Sequence, residues 1–260
     1  MADVRSLLSL DGKLAVVTGG AGRYGKIFSR GLAEAGAKVW IVSRSGQACA
    51  EFAAQLCADG FTADSDAMDM TNESDLSRVC QRICREDGHV DVLVNNAVIR
   101  SMKGYDDDLS AWQESVLVNS TGMFAATRCF GQVMEQQRHG SVINLGSIYG
   151  VVSPDLRAYG REGDDFPPDY VFHRGAVLNF TRVMAMRFAR FGVRVNALSP
   201  GGLDEPAIPA ALREFYERRC PMGRFANADD VKGAIVFLAS DASRYITGQN
   251  VIVDGGWTIF

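Results

Sequence analysis

The sequence has 260 residues, of which 47% are hydrophobic and 22% are charged, and this balance is typical of a globular protein with a sizeable core. The formal net charge of −4 argues against a general nucleic-acid binder, which needs a basic face to neutralise phosphates. No apolar run approaches the roughly 18 residues of a membrane span, and the N-terminus lacks the apolar core of a signal peptide, so we expect a cytoplasmic protein without a nucleic-acid or membrane partner.

Short β-branched runs predict strands, and helical stretches separate them. The strand candidates are LAVVT (14–18), KVWIVS (38–43), DAMDM (66–70), VDVLVNN (90–96), SVINLGS (141–147), VRVNALS (193–199) and NVIVDGG (250–256). Most are apolar at successive positions, as in parallel strands that are buried on both faces. The predicted helices cover 25–36, 72–87, 109–137 and 169–190, and Asn72 is the predicted N-cap of the second. This alternation predicts an α/β fold with a doubly wound, seven-stranded parallel sheet, in a single domain over residues 1–260.

The first strand runs directly into a glycine-rich turn, TGGAGRYGK (18–26). Glycines allow the backbone to turn sharply and to approach a pyrophosphate, and the following helix offers free N–H groups and the positive end of its dipole. The turn therefore predicts a dinucleotide site. The residues predicted to contact the cofactor there are Thr18, Gly19, Gly22, Arg23, Tyr24 and Gly25.

The end of the second strand favours one nicotinamide cofactor. An acidic residue at this place bonds the ribose hydroxyls and repels a 2′-phosphate, whereas here Ser43 is followed by Arg44. An arginine binds a phosphate through paired, charge-assisted hydrogen bonds, and Arg23 adds a second positive charge. We therefore expect NADP(H) rather than NAD(H). The adenosine side is predicted to contact Asp69, Met70, Asn96 and Ala97.

The six cysteines do not predict a metal site. None forms a CxxC pair, and none of the three histidines lies near Cys80 and Cys84, which are one helical turn apart. We expect reduced thiols and no bound metal.

The chain resembles the short-chain dehydrogenase/reductase family over about residues 10–258. The motifs that carry the resemblance are TGGAGRYG, DVLVNNA, Asn119, INLGSIYG, a Tyr-x-x-x-basic step, RVNALSPGG and ITGQNVIVDGGW. They are most similar to the short, single-domain branch, although the spacing of Gly19, Gly22 and Gly25 is that of the longer epimerase and dehydratase branch. The resemblance implies a Rossmann-like fold and an enzyme that oxidises alcohols or reduces carbonyls with a nicotinamide cofactor.

The resemblance also implies roles for individual residues. Tyr170 would give or take the hydroxyl proton, and Arg174, which stands where the family has lysine, would bind the nicotinamide ribose and lower the pKa of the tyrosine. The other implied positions are Ser147 on the substrate oxygen, Asn119 on a water chain, and Pro200, Gly201 and Gly202 beside the nicotinamide.

Simple electrostatics favour Tyr170 over the neighbouring tyrosines. A free tyrosine has a pKa of about 10, and a cation one helical turn away stabilises the tyrosinate. Tyr149 and Tyr159 are the alternative candidates for the acid/base. The sequence separation of Tyr159 from Ser147 is closer to the usual one, but the residue four positions after Tyr159 is Gly163, which carries no positive charge. Arginine cannot release a proton, so a relay through Arg174 would be blocked or rerouted through water.

The segment 154–169 makes the gap between Ser147 and Tyr170 longer than is usual in the family. It is polar and rich in glycine and proline, and we expect it to fold over the mouth of the site as a substrate-side insertion. Arg100, Arg157 and Arg161 are expected near this mouth, where they face either water or an anionic group of the substrate.

Three functions remain open at this point. The first is an NADP(H)-dependent oxidoreductase that acts on a small polar or sugar-like alcohol or ketone. The second is a cofactor-binding protein with little or no dehydrogenase activity, which Arg174 and Arg23 suggest. The third is a redox-neutral epimerase or dehydratase that retains its cofactor, which the glycine spacing suggests. The resemblance implies a homotetramer or homodimer in each case.

Overall fold

The computed structural model describes residues 3–156 and 166–259. The strands are β1 (Leu14–Thr18), β2 (Lys38–Ser43), β3 (Ala63–Ala67), β4 (Val92–Asn95), β5 (Gly140–Leu145), β6 (Val193–Pro200) and β7 (Asn250–Val253). They form one parallel sheet in the order β3-β2-β1-β4-β5-β6-β7, so the predicted doubly wound fold is confirmed. Strand order reverses between β1 and β4, so the connections that follow their carboxyl ends run in opposite directions and leave a crevice there.

Helices cover both faces of the sheet. In the described part of the chain they are α1 (Val4–Leu8), α2 (Arg23–Glu34), α3 (Gly46–Ala58), α4 (Glu73–Asp87), α5 (Leu109–Val116), α6 (Met123–Gln137), α7 (Pro168–Phe188), α8 (Ala210–Arg219) and α9 (Ala228–Ala239). One core layer lies under α2, α3 and α9, and the other lies under α4, α6 and α7. None of the helices in these ranges is long and apolar enough to cross a bilayer.

Strand β3 lies earlier than the prediction of 66–70. Its sequence, ADSDA, is polar because it is an edge strand that pairs only with β2. Asp64 forms an ion pair with Lys38, and Asp66 pairs with Arg78 and Arg82, so the polar side chains are neutralised where they stand. The two methionines that suggested a later strand follow β3 and turn inward.

The helix predicted over 109–137 has a break in its hydrogen-bonding pattern. Residues Leu117–Gly122 form a π-helical segment between α5 and α6, and Asn119 lies within it. Such segments widen a helix by one residue and often occur at functional sites. The predicted cap Asn72 is confirmed, because its side chain accepts hydrogen bonds from the N–H groups of Ser74 and Asp75.

Candidate active site

A cleft of about 830 Å³ opens at the carboxyl ends of the central strands. It runs from the glycine turn and the end of β2 to the start of α7. Its charged lining residues, within the described ranges, are Arg23, Arg44, Arg100, Arg174 and Asp69. The cleft is therefore strongly positive, although the whole chain is negative.

Thr18 and Asn96 shape the glycine turn from below. The Thr18 hydroxyl accepts hydrogen bonds from the N–H groups of Asn96 (3.0 Å) and Ala97 (3.1 Å). The Asn96 amide donates to the carbonyl oxygens of Thr18 and Gly19, at 2.9 Å each. Thr18 and Gly25 are buried and are not among the residues that line the cleft, and their predicted contact with the cofactor stays a prediction.

The N-terminus of α2 is open toward the cleft. No side chain of the described residues caps this helix, and Gly22 occupies the N-cap position. By contrast, Ser45, Asn72 and Asp108 cap the helices α3, α4 and α5 with their side chains. Uncapped N–H groups at a helix start form an anion site, so the turn fits the diphosphate of a dinucleotide.

Arg23 and Tyr24 tie the glycine turn to the segment that follows β6. A guanidinium nitrogen of Arg23 lies 2.6 Å from a carboxylate oxygen of Glu205. The Tyr24 hydroxyl donates to the carbonyl oxygen of Gly201 at 2.9 Å. The sequence predicted Arg23 as a contact of a 2′-phosphate, whereas the structure places its charge against an internal carboxylate.

The other end of the cleft contains the residues predicted for the adenosine side. Arg44 is exposed there, and the described residues give it no hydrogen bond or ion pair. The Ser43 hydroxyl is engaged with the thiol of Cys49 at 2.9 Å. Asp69 accepts hydrogen bonds from the backbone and hydroxyl of Thr71. Met70, Asn96 and Ala97 line the cleft beside them, and Pro200, Gly201 and Gly202 line it near the catalytic end.

Ser147, Tyr170 and Arg174 meet at the catalytic end of the cleft. Helix α7 starts at Pro168, so Tyr170 lies in its first turn and Arg174 lies one turn later on the same face. The Arg174 guanidinium carbon is 5.1 Å from the centre of the Tyr170 ring, and the Ser147 side chain hydrogen-bonds the phenol. A second guanidinium, that of Arg100, lies 4.9 Å from the same ring centre.

These neighbours change the acidity of Tyr170. Burial alone raises the pKa of the phenol, because it disfavours the charged tyrosinate. The positive charge of Arg174, the hydrogen bond with Ser147 and the charge of Arg100 outweigh burial, so the pKa of Tyr170 lies below its ordinary value. The phenol is therefore prepared to exchange a proton with a substrate oxygen.

Among the described residues, one buried donor of Arg174 has no partner. The side chain is buried, and its Nη1 donates to the carbonyl oxygen of Leu145. Its Nε is buried as well and has no hydrogen-bond partner among the described residues. Buried donors are normally satisfied, so this atom fits a hydroxyl group of a bound cofactor, such as the ribose that the sequence assigned to it.

Asn119 lies behind the cleft rather than on its surface. Its side-chain oxygen accepts from the N–H of Ile99 at 2.9 Å, and its amide donates to the carbonyl oxygen of Ile99 at 3.0 Å. Asn119 therefore holds the chain segment that presents Arg100. The predicted water chain through Asn119 stays a prediction.

A buried polar network beside Asn119 was not predicted. Ser115 donates to Asp169, so its oxygen accepts from the Asn119 amide and from Nε2 of His173. Nδ1 of His173 then accepts from the hydroxyl of Ser120 at 2.8 Å. Burial lowers the pKa of His173, the negative charge of Asp169 raises it, and the positive charge of Arg174 lowers it. The net effect is a lowered pKa, so the imidazole is neutral near pH 7. The network fixes the start of α7 against α5, and thus fixes Tyr170. A clue was present in the sequence, because Asp169 and His173 are one helical turn apart.

Aromatic residues form the wall next to Tyr170. The rings of Phe166 and Tyr170 have centres 6.4 Å apart, and Tyr149 meets Phe166 edge-on at 5.5 Å. Phe166 and Pro167 come from the predicted insertion and line the cleft. Arg157, Tyr159, Arg161 and Gly163 lie outside the described residues.

Known proteins share this architecture and sequence. A family model described as Enoyl-(Acyl carrier protein) reductase matches residues 24–258. A cis-4-hydroxycyclohexanecarboxylate dehydrogenase of Sinomonas cyclohexanicum is 34% identical over 95% of this chain and 96% of its own. A galactitol 2-dehydrogenase (L-tagatose-forming) of Cereibacter sphaeroides is 33% identical over 99% and 100%, respectively. The crystal structure of a gluconate 5-dehydrogenase from Burkholderia cenocepacia, in complex with NADP and tartrate, superposes with a TM-score of 0.90 at 29% identity and covers 99% of this chain and 100% of that one.

These similarities extend along nearly the whole chain and decide between the branches that the glycine spacing left open. The downstream motifs, and not the shifted glycine, indicate the branch. The protein is an oxidoreductase acting on alcohols and ketones, and it belongs to the short-chain dehydrogenase/reductase family, in its short, single-domain branch.

Proposed function

We propose that the protein interconverts a small polar or sugar-like alcohol and its ketone by hydride transfer with NADP(H). The observation that carries the proposal is the meeting of Ser147, Tyr170 and Arg174 in one cleft, with the pKa of the phenol lowered. Relatives named for galactitol, threitol and sorbose support a polyol or its ketone as the substrate.

The chain's own residues account for the proton transfer. During reduction, Tyr170 donates its proton to the carbonyl oxygen while Ser147 hydrogen-bonds the same oxygen. During oxidation, the tyrosinate accepts the hydroxyl proton, and Arg174 stabilises its charge. The nicotinamide supplies or accepts the hydride when it is bound, and the open N-terminus of α2 and Arg174 Nε are the groups that would hold the cofactor.

Arg44 is the proposed determinant of the preference for NADP(H). It is exposed in the cleft without a partner among the described residues, whereas Arg23 is already paired with Glu205. A free guanidinium gains a full charge-assisted bond from a 2′-phosphate, and an engaged one gains less.

The first prediction tests this function and its coenzyme together. Oxidation of galactitol and D-threitol is measured with NADP⁺ and NAD⁺ for the wild type, Arg44→Ala and Arg23→Ala. We expect turnover with NADP⁺, and we expect Arg44→Ala to lower kcat/KM for NADP⁺ about 10- to 100-fold while sparing NAD⁺. Arg23→Ala should have a smaller effect. Absence of turnover with every secondary alcohol tested, in protein that binds the coenzyme, would favour the cofactor-binding protein without activity.

We also propose a homotetramer or homodimer in the cytoplasm. Several large apolar side chains are exposed on the helices that run from α5 to α7, and Met186 is 82% exposed. The exposed residues on this face are Leu109, Leu117, Phe124, Phe172, Val183 and Met186. All six cysteines are free thiols, which suits a reducing compartment.

The second prediction concerns this assembly. Light scattering at micromolar concentration should give a mass two or four times that of one chain, because association covers the apolar face. Met186→Asp should shift the distribution toward smaller species, and Arg85→Asp, on exposed α4, should not. A monomeric wild type would contradict the proposal.

A further inference from the structure

The side chain of Arg100 holds an unused positive charge at the catalytic end of the cleft. It is exposed, and it follows β4 in the segment that Asn119 fixes through Ile99. The described residues offer it no hydrogen bond and no carboxylate. Within the described residues it lies over the face of the Tyr170 ring, with its guanidinium carbon 4.9 Å from the ring centre. A guanidinium over a ring uses none of its five N–H donors, so its hydrogen-bonding capacity remains unused.

This situation differs from that of most arginines in the protein. Arg78, Arg187 and Arg213, for example, each form an ion pair with a carboxylate at 3.0 Å or less. In the described part of the cleft, Arg44 and Arg100 are the arginines that lack such a partner and a hydrogen bond. Arg44 lies at the end proposed for the 2′-phosphate, and Arg100 lies at the end where the substrate reacts.

The other charges of the described cleft lining leave the site at Arg100 positive. Asp69, the carboxylate of the described lining, belongs to the adenosine end and accepts hydrogen bonds from Thr71. Arg174, the second cation against Tyr170, is buried and donates to Leu145. A positive, partly enclosed site attracts anions and repels cations, and it does so more strongly than a flat surface.

We propose that the substrate is an anion, a hydroxy acid and its keto acid, whose carboxylate binds Arg100 while its reacting oxygen binds Tyr170 and Ser147. Arg100 lies over the ring of Tyr170, and the reacting oxygen binds the hydroxyl of the same residue. The carboxylate therefore lies only a few bonds from the reacting carbon. The neighbouring Phe166 and Tyr149 give the body of the substrate an apolar wall. This inference rests on the proposed function and narrows its substrate class.

The inference is tested with an acid and its uncharged analogue. Reduction of 4-oxocyclohexane-1-carboxylate and of its methyl ester is measured for the wild type, Arg100→Gln, Arg100→Lys and Arg85→Gln. Arg85→Gln is the matched control, because it removes the same charge from α4, where the side chain is 75% exposed. Arg100 also lowers the pKa of Tyr170, and the acid-to-ester ratio of kcat/KM cancels that shared effect.

We expect the wild type to favour the acid. Arg100→Gln should lower the acid-to-ester ratio about 10- to 100-fold, because a change of this size is the usual contribution of a charge-assisted pair. The change should arise mainly from a higher KM for the acid. Arg100→Lys should keep part of the ratio, and Arg85→Gln should leave it unchanged. A wild-type ratio near one, or a ratio that Arg100→Gln does not alter, would overturn the inference.

A binding measurement separates this inference from the proposed function. Calorimetry compares cyclohexanecarboxylate with cyclohexanecarboxamide, with and without oxidised coenzyme. We expect tighter binding of the carboxylate to the wild type and loss of that difference in Arg100→Gln. Equal binding of the two compounds would overturn the anion site. Selective binding without turnover of either ketone would retain the anion site and contradict the oxidoreductase function on these substrates.

Discussion

Tyr170→Phe is expected to lower kcat by about 10² to 10⁴-fold, the usual contribution of a positioned acid or base. The substitution removes the phenol oxygen and retains the ring that lies against Arg100, Arg174 and Phe166. Coenzyme affinity should change little, because the groups proposed to hold the coenzyme are untouched. Steady-state kinetics give the first quantity, and fluorescence titration with reduced coenzyme gives the second.

The pH dependence provides a further readout for Tyr170. Alcohol oxidation needs the tyrosinate, so its rate should rise with pH through an apparent pKa below the ordinary value of about 10 for tyrosine. Tyr149→Phe is the matched control, because Tyr149 lines the same cleft and its hydrogen bond to the Ser147 hydroxyl comes from its backbone N–H, which the substitution retains. An unchanged kcat in Tyr170→Phe would assign the proton transfer to another group.

Gly25→Ala is expected to have the second largest effect. A Cβ at this position would fall on the carbonyl oxygen of Gly19 and lie 2.7 Å from the Cα of Gly20, so two backbone segments would have to separate. Gly19 has a φ of +61° and cannot easily move, because the amide of Asn96 holds its carbonyl oxygen. We expect a loss of about 2–4 kcal/mol in the free energy of unfolding and a weakening of coenzyme binding beyond measurement.

Gly233→Ala is the control for Gly25→Ala. Gly233 lies in the middle of α9, and a Cβ there would meet nothing within 4 Å. The alanine should stabilise the helix by roughly 0.5–1 kcal/mol and leave coenzyme binding unchanged. Thermal unfolding and coenzyme titration of both variants give the comparison. Wild-type coenzyme affinity in Gly25→Ala would show that the tight packing of the turn is not required.

The central strands were predictable because their burial is continuous. All five residues of β1 are buried, and a run of apolar residues in the sequence is the direct sign of such a strand. The position of the edge strand β3 was not predictable from the sequence, because its aspartates are neutralised by Lys38, Arg78 and Arg82 from other elements. Such ion pairs depend on the three-dimensional arrangement, which hydrophobic periodicity does not encode.

The candidate site also contains some features that the sequence predicted and others that it did not. Tyr170 and Arg174 were predictable because helical spacing puts them on one face. The hydrogen bonds that join Ser115, Asp169 and His173 were not, because they depend on how α5 packs against α7. The boundaries of the insertion at 154–169 stay a prediction, because most of that segment lies outside the described residues.

The ion pair between Arg23 and Glu205 gives the protein a built-in competitor for anions at the glycine turn. A phosphate that binds Arg23 competes with the Glu205 carboxylate for the guanidinium, so this contact is partly an exchange of one anion for another. An exchange leaves the number of paired charges unchanged, and its equilibrium depends only weakly on salt concentration. Arg44 has no such internal ligand among the described residues, so capture of a phosphate there is a net gain of one ion pair. We therefore expect the salt sensitivity of 2′-phosphate binding to arise more at Arg44 than at Arg23.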